Sequence, residues 1–216
     1  EVTARVIEND ILEESADALI CGITTNPSLD GGVAGAVCDA SEHSLRQFVR
    51  AKAPLQLGDV VVTGGFDLPY LYIVLVAATP AEEGDGATEE SVQRSVKNGL
   101  HQVADLRLPS VVLPFIGAGT GRLSTQSAAS AVASGIRSSR VTPPICVRVV
   151  ARNPSDRNAV QNELPTQGSE VLDRGYSDPL KGRISAQLER VDQSGSPSEW
   201  EIYPWIRFDP YSGDIS

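Results

Sequence analysis

The chain has 216 residues and a formal net charge of -10, with 18 Lys and Arg residues against 28 Asp and Glu residues. This length is sufficient for one domain with a full hydrophobic core, with or without an appendage. The acidic balance excludes broad electrostatic binding to duplex nucleic acid or to an anionic membrane, because such binding requires many clustered cations. It is compatible with a small anion that is held by backbone amides.

The three cysteines, Cys21, Cys38 and Cys146, lie in apolar stretches far apart in the sequence. No CxxC pair is present, so we expect neither a disulfide framework nor a zinc site, and we interpret the cysteines as buried, reduced thiols of a cytoplasmic protein. The two histidines, His43 and His101, fall on candidate helices, and we expect no metal or cofactor to be bound by them. No apolar run has the length of a membrane span, and no signal peptide is evident.

Six apolar runs rich in β-branched residues predict strands that are covered on both faces. They span residues 3–7, 18–23, 60–63, 71–77, 111–116 and 145–151. Helical patterns lie between these runs. Strands that alternate with helices are typical of an α/β fold, and we predict a three-layer α/β/α sandwich with a mixed, largely parallel sheet.

Four helices are predicted between and after the strands. The first follows from apolar residues at helical spacing, namely Val33, Val37, Ala40, Leu45, Phe48 and Val49. The second begins near Thr88, a suitable N-cap that is followed by two glutamates in the first turn. The third begins near Ser124, and a short fourth helix spans residues 156–164.

The chain divides into two parts of different composition. We interpret residues 1–166 as one domain and residues 167–216 as a C-terminal extension. The extension contains both tryptophans, Trp200 and Trp205, in a stretch that partly alternates apolar and polar residues. A short helix and a strand or hairpin that docks on the domain is one interpretation, and an interface to a partner domain is the other.

The loop at residues 22–37 is the first candidate site, because ligands of parallel α/β sheets bind at the carboxyl ends of the strands. It reads GITTNPSLDGGVAGAV. Gly31 and Gly32 directly precede a predicted helix, where closely approaching N–H groups and the positive end of the helix dipole favour an anion. A plain strand-to-helix turn, for which Asn26 and Asp30 are suitable residues, is the alternative.

The loop at residues 114–124 is the second candidate site, and it reads PFIGAGTGRLS. Gly117, Gly119 and Gly121 alternate after a predicted strand, a pattern found in phosphate cradles. It is not a Walker loop, since no Gly-Lys-Ser/Thr follows, and a tight turn is the alternative. Two glycine-rich loops on one sheet predict a slot for a pyrophosphate that is bound by backbone N–H groups.

Asp10 follows the first predicted strand. Its carboxylate is suited to accept a hydrogen bond from an adenine amino group, with the Ile11 N–H donating to a ring nitrogen. A local role for Asp10, as a turn residue or helix N-cap, is the alternative.

These segments together resemble the macrodomain family, the ADP-ribose-binding modules, over about residues 3–165. The matching segments are residues 10–11, 16–20, 29–37, 58–64 and 114–123, in the family's order and spacing. The resemblance implies that Asp10 and Ile11 hold the adenine, with a wall near Arg152 and Asn153. It implies that the diphosphate and the distal ribose contact Gly31, Gly32, Val33, Gly117, Ala118, Gly119, Thr120, Gly121 and Arg122. Gly22, Thr24 and Asn26 complete the predicted ligand-binding set.

The chain departs from the family's pattern near the distal ribose. Thr24 stands where the family has an asparagine, and Ala34 stands where hydrolytic members often have an aspartate. Asp30 and Thr24 are then the remaining candidates for a catalytic role. The resemblance implies a reader or sensor of ADP-ribose or a related NAD-derived nucleotide, either free or carried by an ADP-ribosylated protein. The alternatives are an ADP-ribosyl hydrolase or O-acetyl-ADP-ribose deacetylase, and a sensor of an NAD-derived signal nucleotide in a bacterial defence system.

Overall fold

The computed structural model describes residues 2–27, 29–41, 44–82 and 85–164. Six strands form one sheet in the order β1-β6-β5-β2-β4-β3, and every pair is parallel except β3 with β4. The strands are β1 (Val2–Glu8), β2 (Ala16–Thr24), β3 (Val60–Gly64), β4 (Tyr70–Thr79), β5 (Ser110–Pro114) and β6 (Ile145–Ala151). All six predicted strands are therefore confirmed. The predicted extension at residues 167–216 lies outside the described residues, so it and the domain boundary stay predictions.

The described residues form five helices, four between strands and one after β6: α1 (Gly32–Ala40), α2 (Ser44–Arg50), α3 (Glu89–Asp105), α4 (Thr125–Ser138) and α5 (Pro154–Glu163). Thr88 caps α3 as predicted: its hydroxyl accepts from the Ser91 N–H at 3.1 Å, and the Ser91 hydroxyl accepts from the Thr88 N–H at 3.0 Å. This reciprocal capping box satisfies two donors that would lack partners in the first helical turn. Ser124 caps α4 in a similar way, by accepting from the Ser127 N–H at 3.1 Å.

The single helix predicted around residues 33–49 is wrong, because the structure has two helices there, α1 and α2. Helix α1 ends at Ser41, whose N–H donates to the Val37 and Cys38 carbonyls and whose hydroxyl donates to the Cys38 carbonyl at 2.8 Å. Serine competes for backbone partners in this manner at helix ends. The apolar spacing continues across the break because both helices cover the same face of the sheet.

The helices cover both faces of the sheet and create two hydrophobic cores. On one face α3, α4 and α5 bury Val96, Leu100 and Val132 against strand residues such as Val76. On the other face α1 and α2 bury Val37 and Leu45 against Leu19 and Leu75. The predicted α/β/α sandwich is confirmed. None of the described helices has the combined length and apolar character needed to cross a membrane.

Strands β1 and β2 point in the same direction, so the chain must return from the carboxyl end of β1 to the amino end of β2. Only residues 9–15 make this connection, and they form no helix. Side chains from the sheet donate hydrogen bonds to backbone carbonyls of this connection. The Tyr70 hydroxyl donates to the Ile11 carbonyl at 2.5 Å, and Arg148 donates to the Ser15 carbonyl and lies 3.4 Å from the Glu14 carboxylate. Burial raises the pKa of Tyr70 above its usual value, so the hydroxyl stays a donor.

A buried carboxylate joins the starts of β2 and β5. Asp17 is 4% exposed, and its carboxylate accepts hydrogen bonds from the Ser110 hydroxyl at 2.5 Å and from the Ser110 N–H at 3.1 Å. The Asp17 N–H in turn donates to the Ser110 hydroxyl at 3.0 Å. These three bonds extend the short pairing of Ala18 and Leu19 with β5.

The cysteines are free thiols, of which Cys21 and Cys38 are buried while Cys146 is half-buried. The expectation that all three are buried is therefore wrong for Cys146. Its neighbours in β6, Ile145 and Val147, belong to the core under α3, α4 and α5, so the Cys146 side chain lies on the opposite face of the sheet. In the part of the chain that the structure describes, no three His, Cys, Asp or Glu residues cluster as metal ligands. His101 lies on the exposed side of α3, and His43 falls outside that part.

The buried Cys21 thiol makes stability depend on alkaline pH. Burial raises the pKa of Cys21 from 9.0 to about 12, so the unfolded chain loses this proton at lower pH than the folded chain. The free energy of unfolding does not depend on this thiol below about pH 9, and it falls by about 1.4 kcal/mol per pH unit between pH 9 and 12. When the free energy of unfolding from urea titrations is plotted against pH in this range, its decrease should be less steep in Cys21→Ala than in the parent, by the amount that corresponds to one proton. Equal slopes would contradict this assignment.

Candidate functional site

A cleft of about 340 Å³ opens at the carboxyl ends of the central strands. Its floor is formed where β2, β4 and β5 end, at Thr24, Thr79 and Pro114. Because β2 lies between β4 and β5, the loops that leave β2 and β5 rise side by side from neighbouring strands. Ligands of open parallel sheets bind at this edge.

The β2–α1 loop forms the first wall of the cleft. Gly31 is extended, with a φ of -164°, and the next residue, Gly32, has a φ of +63°. Only glycine adopts that second conformation without strain. The turn presents the N–H groups of Gly32, Val33 and Ala34, which have no partner within α1, at the positive end of the helix dipole. The first turn of α1 carries no acidic residue that would compete for them.

The β5–α4 loop forms the second wall and is folded tightly on itself. The Leu123 N–H donates to the Gly117 carbonyl at 2.9 Å, and the Arg122 N–H donates to the Gly119 carbonyl at 3.0 Å. Gly117 has a φ of +95°, and a Cβ on it would lie 2.8 Å from the Val92 side chain. A Cβ on Gly121 would lie 2.6 Å from the Gly117 carbonyl oxygen. Larger residues would therefore open this turn.

The two walls meet above the strand ends. A Cβ on Gly32 would lie 3.7 Å from the Thr120 hydroxyl, so the tips of the two loops are almost in contact. Below them Gly22 packs against Ile116 so closely that a Cβ would lie 2.7 Å from its side chain. The glycine-rich loops thus form the narrow slot that their sequences predict, with residues from both loops lining one cleft.

Asp10 and Asn153 lie at the same edge of the sheet, after the neighbouring strands β1 and β6. The Asp10 carboxylate accepts from the Leu12 N–H at 2.9 Å and is exposed. Ile11 is buried. Asn153 caps α5 by accepting from the Asp156 N–H at 2.9 Å. Asp10 thus has the local role in a turn that was its alternative. Asn153 follows β6, which lies beside β5, the strand that carries the second loop, whereas Asp10 follows β1 on the far side of β6.

The family model for the Macro domain matches residues 22–132, just over half of the chain. The chain belongs to the Macro domain family. A relative from Sulfurisphaera tokodaii, named only as an uncharacterized protein, is 29% identical over 119 residues. That match covers 53% of this macrodomain chain and 64% of the relative, so the chain spans slightly less than two thirds of the relative's length.

Solved macrodomains have the same fold. The Oceanobacillus iheyensis macrodomain with ADP has a TM-score of 0.62 at 22% identity, covering 84% of this chain and 91% of that one. The Trypanosoma brucei macrodomain in complex with ADP-ribose has a TM-score of 0.64 at 15% identity, covering 74% of this chain and 68% of that one. The resemblance inferred from the ordered segments is thereby confirmed.

Asp30, one of the two candidate catalytic residues of this macrodomain, is paired with a cation. Its carboxylate accepts from the Arg46 guanidinium, which also donates to the Leu29 carbonyl at 3.1 Å. The hydrogen bond to Asp30 raises the pKa of Arg46 further above its usual range, so the guanidinium stays charged. A carboxylate held in this manner is a weaker base toward a water than an unpaired one. Thr24, the other candidate, lies on the cleft floor at the end of β2.

Six predicted ligand residues lie outside the set that lines the cleft, namely Asp10, Ile11, Asn26, Ala118, Arg122 and Asn153. Asn26 borders a separate open depression with Thr25 and Arg50. Ala118 and Arg122 belong to the second loop, but neither lines the cleft, and Arg122 is exposed. Arg122 has a φ of 60°, which turns the chain back toward α4.

The sequence reasoning did not single out Thr79, Phe115 or Ile116 as site residues, although all three line the cleft. Thr79 ends β4, the strand beside β2. Phe115 and Ile116 were assigned to the fifth strand, which ends earlier, at Pro114. The polar last residue of an otherwise apolar strand was the available signal for Thr79, since strand ends form the floor of such sites.

Proposed function

We propose that this macrodomain binds ADP-ribose or a related NAD-derived nucleotide, as a reader or sensor, with the diphosphate in the cleft. The observation that carries the proposal is the meeting of the two glycine-rich loops, where Gly32 and Thr120 almost touch. The helix N-terminus on one side and the tight turn on the other supply backbone donors to an anion. The cleft volume of about 340 Å³ is within the usual range for small-molecule sites.

The solved macrodomains support this ligand class, since the Oceanobacillus iheyensis protein was solved with ADP and the Trypanosoma brucei protein with ADP-ribose. Backbone recognition also agrees with the chain's charge of -10, because it needs no cluster of lysines or arginines. The bound nucleotide is either free or attached to an ADP-ribosylated protein. A sensor role, including one in a bacterial defence system, requires that binding be transmitted to an attached segment.

We favour binding over hydrolysis because a hydrolase requires a group that activates water or attacks the anomeric carbon. Asp30 is engaged by Arg46, and Ala34 offers no carboxylate where hydrolytic members of the family often have an aspartate. The test combines calorimetry with ADP-ribose, NAD and AMP with a turnover assay on ADP-ribosylated protein. We expect ADP-ribose to bind with no turnover. Absence of binding by any of these nucleotides at millimolar concentration would refute the proposal.

Asp10 is proposed to contact the adenine amino group through its exposed carboxylate. We expect Asp10→Ala to weaken ADP-ribose binding by about tenfold, as for the loss of one hydrogen bond to a charged acceptor. Binding of ribose 5-phosphate, which has no base, should be unchanged in the same calorimetric experiment. Asp59→Ala is a matched control, because Asp59 is also exposed and accepts a local hydrogen bond, from the Gln56 N–H at 2.8 Å, but does not line the cleft. Equal weakening for both ligands would show that Asp10 only shapes its turn.

A further inference from the structure

Arg46, on α2, contacts the β2–α1 loop just before the two glycines that line the cleft. Its guanidinium pairs with the Asp30 carboxylate, donates to the Leu29 carbonyl at 3.1 Å and lies 3.8 Å from the Asp39 carboxylate. The Arg46 side chain is 18% exposed, whereas the Asp30 and Asp39 side chains are 62% and 68% exposed, so Arg46 is packed against the protein and its two carboxylate partners face the solvent. One side chain therefore connects α2 to the loop and to the end of α1.

The residues that Arg46 contacts are part of the cleft wall. Leu29 and Asp30 both line the cleft and directly precede Gly31 and Gly32, whose turn presents the backbone donors. Leu29 has a φ of 56°, a conformation that is unfavourable for a non-glycine residue. Its carbonyl is one of the three groups that Arg46 contacts. The contact thus stabilises a backbone shape on which the orientation of the next N–H groups depends.

Arg46 also affects the charge of the cleft wall. Among the described residues that line the cleft, Asp30 is the only one with an ionisable side chain. An uncompensated carboxylate next to the Gly31–Gly32 turn would repel a diphosphate bound there, because the two like charges would lie a short distance apart. The guanidinium of Arg46 is hydrogen-bonded to Asp30 and farther from Asp39, at 3.8 Å, so it offsets the charge of Asp30 while remaining outside the set of residues that line the cleft. The cleft wall therefore presents neutral donors to an anion.

We propose that Arg46 is a positioning residue that neutralises Asp30 and holds the Leu29–Asp30 backbone, so that the cleft accepts the anionic part of its ligand. The proposal deepens the proposed function and rests on it. The preference of the β2–α1 loop for an anion then depends on the Arg46–Asp30 pair as well as on the backbone N–H groups of the loop. The proposal also assigns Asp30 a structural partner in place of a reacting one.

The test is a double-mutant cycle measured by calorimetry with ADP-ribose. We expect Arg46→Gln to weaken binding by about tenfold, Asp30→Asn to bind at least as tightly as the parent, and the double variant to return to within about threefold of the parent. Adenosine, a neutral probe, should bind all four proteins alike. Recovery of ADP-ribose affinity in the double variant is the result that a merely structural role for Arg46 would not produce. Arg50→Gln is the matched control, because Arg50 is an exposed arginine on the same helix outside the cleft.

A second measurement needs no nucleotide and separates this inference from the proposed function. Amide hydrogen exchange at residues 31–33 should be faster by at least about tenfold in Arg46→Gln than in the parent or in Arg50→Gln. If the parent fails to bind ADP-ribose, the proposed function fails, and unchanged exchange would then also overturn the role of Arg46. If the parent binds, parent-like affinity of Arg46→Gln or a double variant as weak as Arg46→Gln would overturn it.

Discussion

The Gly119→Val variant should lose at least about 100-fold in affinity for ADP-ribose, or about 2.7 kcal/mol of binding free energy. Gly119 lines the cleft on the second loop, and a Cβ at this position meets no protein atom within 4 Å. Its φ is not in the left-handed region, so valine is accommodated without backbone strain. The added side chain therefore occupies space that the diphosphate needs, and its Cβ contacts no other atom of the protein.

The controls separate obstruction of the cleft from damage to the fold. Gly64→Val at the end of β3 also adds a side chain in open space, but away from the cleft, and should bind ADP-ribose as the parent does. Gly31→Val repeats the obstruction from the opposite wall, where the backbone is extended. All three variants should melt within about 2 °C of the parent, since they disturb no packed atoms. Parent-like affinity in Gly119→Val and Gly31→Val would place the ligand elsewhere.

Asp17→Ala should lower the free energy of unfolding by about 3 kcal/mol, measured by urea denaturation. The substitution removes the carboxylate that accepts from the Ser110 hydroxyl and the Ser110 N–H. Both donors are then buried without a partner, because Ser110 is only 2% exposed. The loss falls between β2 and β5, the two strands from which the cleft loops rise, so ligand affinity should decrease as well.

Two further variants identify the hydrogen bonds as the cause. Asp17→Asn keeps an acceptor oxygen of the same shape and should lose only about 1 kcal/mol. Ser110→Ala leaves the carboxylate buried with one donor fewer, and its effect should not add to that of Asp17→Ala, because the two residues interact directly. A loss below about 1 kcal/mol in Asp17→Ala, or full additivity in the double variant, would contradict this account.

The fold was largely predictable because its signals are local. Continuous apolar runs such as residues 71–77 mark strands covered on both faces, and Thr88 with two following glutamates marks a helix start. The break between α1 and α2 was missed because the apolar spacing runs through it, since both helices cover one face. Ser41, which ends α1 by bonding back to the Cys38 carbonyl, gives no distinctive signal in the sequence.

The candidate site was predictable where backbone conformation requires glycine, and not where side chains from distant parts of the chain meet. Gly32 and Gly117 have positive φ angles, and both were singled out from the sequence. The Arg46–Asp30 pair joins residues sixteen positions apart on separate elements, and no local pattern indicates it. The contact between Asp17 and Ser110 spans 93 positions. Such contacts depend on strand order, which apolar spacing alone does not specify.

The strand order also determines when the two ends of the candidate site are completed during synthesis. Strand β1 pairs only with β6, with Val2 opposite Ile145 and Glu8 opposite Ala151. At a ribosomal rate of about 5–20 residues per second, β1 waits roughly 7 to 30 seconds for its partner. The loops after β2 and β5 precede β6 in the chain. On a nascent chain the loops proposed to bind the diphosphate can therefore form before the edge that carries Asp10 and Asn153, and the end proposed to bind the base is assembled last.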